Sequence, residues 1–520
     1  MEQQLRRALR WTRTVELRLD YLESRKELGR FTFWLARHRP GCPMMKLPTP
    51  CPTLPRDTTY LRRIRNPPNS FPRSMKLARD PLYGTLVATL RAVRAGGRFT
   101  GNPYEQLAFL AWAIMSGCDW CDIEEERIPG PLLRQGGLAP PARLLISAHD
   151  FRRTPRNLAP LLRRLESCGG DAIKIATHCN CIADSLRVLS LARGRRNVVA
   201  VPMGEAGLPA RVLALRSGSA LAYAAVEQAT VPGQPSLDEM KNLYRADKLD
   251  RRTRVYGVIG DPVAHSLSPL MHNVGFQARR MNAVYLPFLV GDLKDFLGAI
   301  GPLGIAGFSV TLPHKERILR HLDGCDPLAV RIGAVNTVVV RGGGKLYGYN
   351  TDYVGVLRAL ERRVRLRGSR VLVYGAGGAA RAAAFALAQG GAVVCVCARR
   401  RLRARELARA VGGEAIERVR LRREFFDAIV NATPVGMHPH AGQSPLGAAE
   451  LNARLVMDLV YRPQKTRLLG LAERRGIETV SGVDMFVAQG TAQWEIWTGV
   501  RAPVAAMRRA VLAALRRERA

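Results

Sequence analysis

Three observations predict an α/β fold in two parts. Short apolar runs alternate with amphipathic helical stretches through the first 235 residues, the pattern of a parallel sheet with helices packed outside it. Their number points to an N-terminal (β/α)8-type barrel with its working groups at the strand ends. Beyond residue 250 the pattern restarts, and near residue 375 a cluster of glycines stands between an apolar strand and an alanine-rich helix. That context predicts a second α/β region with a Rossmann-like nucleotide-binding unit. At 520 residues the chain exceeds what one core usually supports, so two or more domains are expected.

The opening stretch MEQQLRRALRWTRT reads as the helix that would follow a first strand, so the barrel begins one strand late. Seven strand candidates follow where eight are needed: VELRLD (15–20), TLVATLR (85–91), WCDIEEE (120–126), RLLISAHDF (143–151), AIKIAT (172–177), NVVAVPMG (197–204) and ALAYAAV (220–226). PYEQLAFLAWAIMSG (103–117) and NLAPLLRRLESCG (157–169) are helix candidates between them. Residues 39–84 are proline-rich and basic with no clear period, and read as an irregular insertion. The polar stretch KNLYRADKLDRRTR (241–254) marks a domain boundary. The expected division is 1–240, 255–350 and 351–520, the last with C-terminal helices that return to the middle lobe.

The formal net charge of +37 raises nucleic acid or an anionic membrane as partners. The arginines are scattered, however, and clusters such as RRIR (62–65), RGRR (193–196), ARRRLRAR (398–405) and RVRLRR (418–423) fall in different elements without a zinc-finger or helix-turn-helix pattern. Small-molecule partners are expected instead, with no nucleic acid and no membrane. No apolar run reaches the roughly 18 residues of a membrane span, and the N-terminus lacks the apolar core of a secretion signal, so a cytoplasmic location is expected. The ten cysteines show no metal-ligand spacing beyond one C-x-x-C at 118–121, which suggests reduced thiols and no metal. The sequence sets no oligomeric state.

One residue in the barrel region breaks the apolar pattern. Lys174 stands in the middle of DAIKIATHCN (171–180), on what otherwise reads as a buried strand. Either its stem is buried and its head reaches solvent at the strand's end, or it is a nucleophile, which an apolar setting favours by favouring the neutral amine. His149, at the end of the preceding strand, is a candidate base or a packed strand-end histidine. In the second region, Gly375, Gly377 and Gly378 would let the backbone approach a pyrophosphate at a helix N-terminus, or they form a mere tight turn. The next strand ends in CVCARRRLR, where a dinucleotide binder often carries an acid. Arg399, with Arg400 or Arg401 beside it, could grip a 2′-phosphate and select NADP over NAD. An exposed basic helix start accounts for the same run.

Two sets of motifs resemble known families. VELRLD, SAHDF, IKIAT, MGEAGLPARV and ATVPGQ together resemble type I 3-dehydroquinate dehydratase. GDPVAHSLSPLMHN, VTLPHK, IGAVNT, GYNTD, GAGGAAR, NATPVGM and MFVAQGTAQWEIWTG resemble shikimate dehydrogenase, a two-lobed α/β fold. Their order is similar to that of the fused bifunctional enzymes of plants and some bacteria, and the likeness covers nearly all of the chain apart from 39–84.

The first resemblance implies that Lys174 forms a Schiff base with the ketone of 3-dehydroquinate, and that His149 takes the neighbouring proton and passes one to the departing hydroxyl. It implies that Arg18, Arg91 and Arg211 hold the substrate's carboxylate and hydroxyls, with Glu16, Thr230 and Gln234 as further polar contacts. Thr230 stands where a serine is more usual, and Ala95 where the family has a glutamate that orients the histidine. The second resemblance implies that Ser266 and Ser268 hold the shikimate carboxylate, although Ser268 before Pro269 also reads as a helix N-cap. Lys315 and Asp352 match the catalytic pair that relays a proton as hydride reaches the ketone; on their own they would read as a surface ion pair. Thr311, Asn336 and Gln489 match groups that bind ring hydroxyls, and Tyr461 a tyrosine near the substrate. Gly375, Ala376, Gly377, Gly378, Ala379, Arg399, Arg400, Thr433 and Gly482 match cofactor positions, which implies NADP. Ser309 replaces a usual asparagine, and Ala398 and Arg400 depart from the usual asparagine and threonine around Arg399.

The implied function is dehydration of 3-dehydroquinate to 3-dehydroshikimate, then NADPH-dependent reduction to shikimate. A working dehydrogenase with a decayed dehydratase barrel is one alternative, which the incomplete barrel and Ala95 suggest. A non-catalytic regulator of the quinate-repressor type is the other.

Overall fold

The computed structural model describes all residues except 11, 23–24, 40–84, 129–142, 227–232, 362, 438–439 and 518–520. The irregular stretch expected at 39–84 therefore falls outside the described residues apart from Arg39, and Thr230 falls outside them too. The chain divides into two compact units, Met1–Arg251 and Arg252–Ala520.

The first unit is built on six parallel strands in sequential order: β1 (Thr14–Arg18), β2 (Thr85–Thr89), β3 (Trp120–Glu124), β4 (Arg143–Asp150), β5 (Ala172–His178) and β6 (Val198–Met203). Every residue of β6 and all but the last of β5 are buried, as expected of parallel strands covered on both faces. Helices precede or follow the strands where the pattern places them. Helix Pro103–Met115, for example, starts at Asn102 and Glu105, which cap each other's backbone, with Pro103 in the first turn.

The seventh expected strand, 220–226, is not part of this sheet. It keeps one hydrogen bond to β6, from Ala220 N–H to the Val198 carbonyl (2.9 Å), and one bridge, Ala225 to Ser236. Next to it the Ser219 hydroxyl accepts the Ala200 N–H (3.0 Å), so a side chain takes the place of a ladder bond. Four of its seven residues are alanines, which have little side chain to pack on a pleated surface.

The second unit contains two sheets. The first has the order β10-β12-β11-β9-β7-β8, from β7 (Arg254–Gly260), β8 (Ala283–Leu289), β9 (Ile305–Val310), β10 (Gly324–Cys325), β11 (Thr337–Val340) and β12 (Leu346–Tyr349). Its β11 runs antiparallel to both β9 and β12. The second sheet is wholly parallel, in the order β15-β14-β13-β16-β17-β18, from β13 (Arg370–Tyr374), β14 (Val393–Cys397), β15 (Glu414–Ala415), β16 (Phe426–Asn431), β17 (Ala453–Asp458) and β18 (Glu478–Val480). This is the doubly wound order, and its strand sequence reverses between β13 and β16, the crevice where such sheets bind ligands. Helix Gly482–Thr498 contributes to two cores: Met485 packs with the parallel-sheet lobe, while Val483, Phe486, Val487, Trp494 and Trp497 pack with Tyr256, Phe276 and Tyr285 of the other. Helix Val504–Arg517 adds Met507, Val511 and Leu515 to that second core.

Among the described residues, no helix is long and apolar enough to cross a membrane, no group of three or more His, Cys, Asp or Glu residues could hold a metal ion, and the cysteines are free thiols.

Candidate active sites

In the first unit the parallel register brings Lys174 on β5, Ser147 on β4 and Asp122 on β3 to one face. The Lys174 side chain is 5% exposed, so its head does not reach solvent. It is met by carboxylates: Nζ donates to Asp122 and lies 3.7 Å from Glu16. Asp122 also accepts from Arg91 (2.8 Å) and from the Ser147 hydroxyl (2.6 Å). Burial, the largest single influence, pushes the Asp122 carboxyl upward, yet Arg91 and Lys174 together hold it far below the usual carboxylate range. Arg91 has Glu124 and Glu16 at 3.7 and 4.0 Å as well. Three carboxylates and two cations thus form one buried cluster. The apolar surroundings expected for Lys174 are in fact a ring of counter-charge.

His149 lies beside this cluster. Burial, then the charges of Arg91 and Lys174, push it well below the usual imidazole range, which leaves the ring neutral. Arg91 contacts its Nδ1 at 3.3 Å, and because a guanidinium only donates, Nδ1 accepts and the ring proton sits on Nε2. Phe151 stacks on the ring with centroids 5.9 Å apart. Ala95 supplies no carboxylate to hold the other tautomer.

Arg211 is buried, and its Nε donates to the Pro202 carbonyl (2.6 Å). Among the described residues no carboxylate lies within ion-pair distance, and burial pushes it down to about 10. A buried guanidinium without a counter-ion is an anion site in waiting. Arg18 is instead committed to Asp20 by two bonds (2.9 and 2.8 Å) and lies over the Tyr21 ring. Gln234 is partly buried. The structure therefore gathers Lys174, His149, Arg91 and Glu16, and adds Asp122, Glu124 and Ser147, which the sequence reading missed. Asp122 and Glu124, two apart on an otherwise apolar strand, carried the same anomaly as Lys174.

In the second unit Lys315 Nζ pairs with Asp352 Oδ2 at 2.5 Å, and Asp352 is 4% exposed, so this is not a solvated surface pair. Asn336 is the hub that fixes it: Nδ2 donates to Asp352 Oδ1 (2.8 Å), to Thr351 Oγ1 (3.0 Å) and to Gln489 Oε1 (3.5 Å), while Oδ1 accepts the Thr351 N–H (2.8 Å). The helix near Ser266 begins at Ser268 with Leu267, which has no capping side chain, at its N-cap; Ser266 Oγ accepts the Ser268 N–H (3.2 Å). The cap reading of Ser268 thus gives way to Ser266. Tyr461 places its hydroxyl 3.5 Å from the Leu267 N–H and stacks on Phe486. Thr311 packs its methyl so close to Gly260 that a Cβ there would sit 2.4 Å away. Ser309 accepts from the Tyr285 hydroxyl (2.6 Å) and donates to Gln493 Oε1 (2.8 Å), so its hydroxyl braces the fold.

The crevice beyond β13 opens onto helix Gly378–Gln389, whose N-terminus has no side-chain cap. Gly375 has φ +132°, and a Cβ on it would meet the Ala432 carbonyl at 3.0 Å. Around Gly377 nothing lies within 4 Å of a built Cβ, which leaves the space a pyrophosphate needs. Ala376 and Ala379 flank these positions. Arg399 and Arg400 are exposed at the end of β14. Thr433 donates to Asn431 Oδ1 through both N–H (3.0 Å) and hydroxyl (2.7 Å), and Gly482 passes within 2.7 Å of the Leu459 carbonyl for any added Cβ. Uncapped amides, glycine spacing and exposed arginines fit a phosphate-bearing dinucleotide.

Comparison with known proteins adds the following. Residues 60–251 match type I 3-dehydroquinase, 258–338 the shikimate dehydrogenase substrate binding domain, and 482–512 the shikimate 5′-dehydrogenase C-terminal domain. The chloroplastic bifunctional 3-dehydroquinate dehydratase/shikimate dehydrogenase of Arabidopsis thaliana is 38% identical over 440 residues, which cover 80% of this chain and 73% of that protein. The shikimate dehydrogenase (NADP(+)) of Thermococcus kodakarensis is 45% identical over 51% of this chain and 97% of its own. That of Methanosarcina acetivorans is 46% identical over 50% of this chain and 99% of its own.

Proposed function

This chain belongs to the bifunctional 3-dehydroquinate dehydratase/shikimate dehydrogenase family, and on that premise we propose how its own residues carry the two reactions. The first unit is a lyase that converts 3-dehydroquinate to 3-dehydroshikimate. The second is an oxidoreductase that reduces that product to shikimate with NADPH, toward chorismate and the aromatic amino acids.

In the barrel, Lys174 attacks the substrate ketone and holds it as a protonated imine, an electron sink that acidifies the adjacent carbon. His149, neutral in its buried setting, takes that carbon's proton and returns one to the departing hydroxyl. Arg211 holds the substrate carboxylate as its missing counter-ion. Arg18, Arg91, Glu16, Thr230 and Gln234 hold hydroxyls. Asp122 fixes the amine in place until the ketone arrives.

In the dehydrogenase, Lys315 donates a proton to the ketone oxygen and Asp352 orients it, held in turn by Asn336. Ser266 and Ser268 bind the carboxylate, and Thr311, Asn336, Gln489 and Tyr461 bind the ring. Gly375 to Ala379 would cradle the pyrophosphate of NADPH, with Arg399 and Arg400 on its 2′-phosphate and Thr433 and Gly482 along its length. Bound NADPH supplies the hydride.

The observation that carries the reading is Lys174, an amine buried among carboxylates beside a neutral histidine. Borohydride added during turnover of 3-dehydroquinate should reduce the imine and leave a permanent adduct on Lys174, located by mass spectrometry. Lys174→Arg should lose both label and dehydration while shikimate oxidation persists. A chain that dehydrates without labelling overturns the mechanism. One that neither labels nor dehydrates is the decayed-barrel alternative. That alternative and the regulator are disfavoured by the joint presence of Lys174, His149, Lys315 and Asp352, which a pure binder has no chemical need to keep. Small anionic substrates, rather than nucleic acid or membrane, are the partners that scattered arginines and the buried Arg211, unpaired among the described residues, suit. Free thiols and NADPH chemistry suit a reducing compartment, in our reading the cytoplasm.

A further inference from the structure

The irregular segment 220–226 carries an aromatic residue that the reaction scheme above does not use. Tyr223 is held there by the Ala220 to Val198 hydrogen bond on one side and the Ala225 to Ser236 bridge on the other. Lys174 Nζ lies 4.6 Å from its ring centroid, in cation–π position. The hydroxyl is buried and has no hydrogen-bond partner among the described residues. Burial first, then the charges of Glu16 and Asp122, push the phenol well above its usual range, so it keeps its proton; Glu16 adds a small hydrogen-bonding influence, but no bond of good geometry forms. Tyr223 and Arg211 also line one small pocket.

For packing or for the cation–π contact a phenyl ring would serve as well. A buried hydroxyl without a partner disfavours the empty site, and it becomes an asset only when a ligand oxygen arrives to accept its proton. The group that must arrive next to Lys174 Nζ is the ketone oxygen, bonded to the carbon that the amine attacks.

We propose that Tyr223 is a catalytic acid of imine formation in this barrel, the donor to the ketone oxygen of 3-dehydroquinate. Lys174 first loses its ammonium proton to solvent; attack by the neutral amine then forms the Nζ–C bond and moves the carbonyl π pair onto oxygen, which takes the Tyr223 proton and becomes a carbinolamine hydroxyl. The phenolate then takes the proton that Nζ sheds. In the second step the C–O bond breaks as the nitrogen lone pair closes the iminium, and the hydroxide leaves with the same Tyr223 proton as water. Hydrolysis of the product imine runs these steps backward. The iminium inherits the ammonium's place over the ring, so the ring and the hydroxyl have separable roles.

This inference rests on Lys174 as the imine-forming nucleophile, and the test separates the two. The full chain and Tyr223→Phe are mixed with 3-dehydroquinate, quenched with borohydride at increasing times, and the Lys174 adduct is counted by mass spectrometry. The wild-type chain should label. Tyr223→Phe should label at least tenfold more slowly yet reach the same final extent, with KM for 3-dehydroquinate within twofold and kcat lowered. Reaching that extent shows that the barrel is folded and binds. A variant that labels at the wild-type rate, or never labels, overturns the role of Tyr223. A wild-type chain that turns over without labelling overturns the Lys174 reading itself.

Discussion

Replacing Asp122 by asparagine removes the central negative charge of the barrel cluster while keeping its shape. The carboxylate is fully buried and accepts from Lys174, Arg91 and Ser147. Removing one partner of a buried charge pair costs about 3–5 kcal/mol. Glu16, 3.7 Å from Lys174, and Glu124, 3.7 Å from Arg91, retain part of the counter-charge, which places the loss near the lower end, about 3 kcal/mol. That is roughly a hundredfold in the folding equilibrium of the barrel. The folded carboxyl keeps its charge to lower pH than the unfolded one, so its contribution is complete above the ordinary value of 3.8 and is lost as the pH falls below it. Amide exchange in peptides covering β3 to β5, followed by mass spectrometry, reads both effects. Asp122→Asn should exchange about a hundredfold faster at neutral pH, and the difference from wild type should shrink as the medium is acidified through pH 4. Unchanged protection at neutral pH, or a difference that grows in acid, would refute the charge-cluster account.

Three further outcomes follow from the same geometry. Arg211→Met keeps much of the buried volume but removes the unpaired guanidinium, and should lower kcat/KM for 3-dehydroquinate by roughly ten- to a hundredfold, the worth of a charged hydrogen bond; steady-state kinetics with an unchanged value would remove Arg211 from the anion site. Lys315→Ala and Asp352→Asn should each lose about a hundredfold or more in shikimate oxidation, while NADPH affinity by fluorescence titration stays near normal; near wild-type turnover in either would dismiss the pair. Arg399→Ala with Arg400→Ala should raise KM for NADPH about tenfold or more and leave KM for NADH nearly unchanged, so equal effects on the two would sink the phosphate clamp.

Lys174 was visible in the sequence because one cation in a strand of apolar residues violates a strong rule. Its partner was not visible, since Asp122 lies 52 positions earlier and meets it only through the parallel register of β3, β4 and β5. The glycines after β13 were legible for the opposite reason: strand, turn and helix follow one another in the chain, so the local order is the spatial order. ALAYAAV looked like a strand by its apolar character, but hydrogen-bond pairing at Ser219 and Ala225 is a matter of neighbours that composition does not encode. Ser309 shows the limit in a third form. Its identity is plain in the sequence, while its bonds to Tyr285 and Gln493 join positions 24 and 184 residues away.

The helix Gly482–Thr498 and its successor supply Trp494, Trp497, Met507, Val511 and Leu515 to a core whose other half is Tyr256, Phe276 and Tyr285. During synthesis the barrel and the strands from β7 to β12 leave the ribosome long before those residues exist, and chains assemble from the N-terminus as they emerge. The apolar face made by Tyr256, Phe276 and Tyr285 therefore stays uncovered until translation is almost finished, which makes the dehydrogenase the half of the chain whose core is completed last. Ribosome-bound chains stalled after Ser481 should bind a hydrophobic dye or a chaperone at that face and full-length chains should not; equal binding by both would show that another segment covers it.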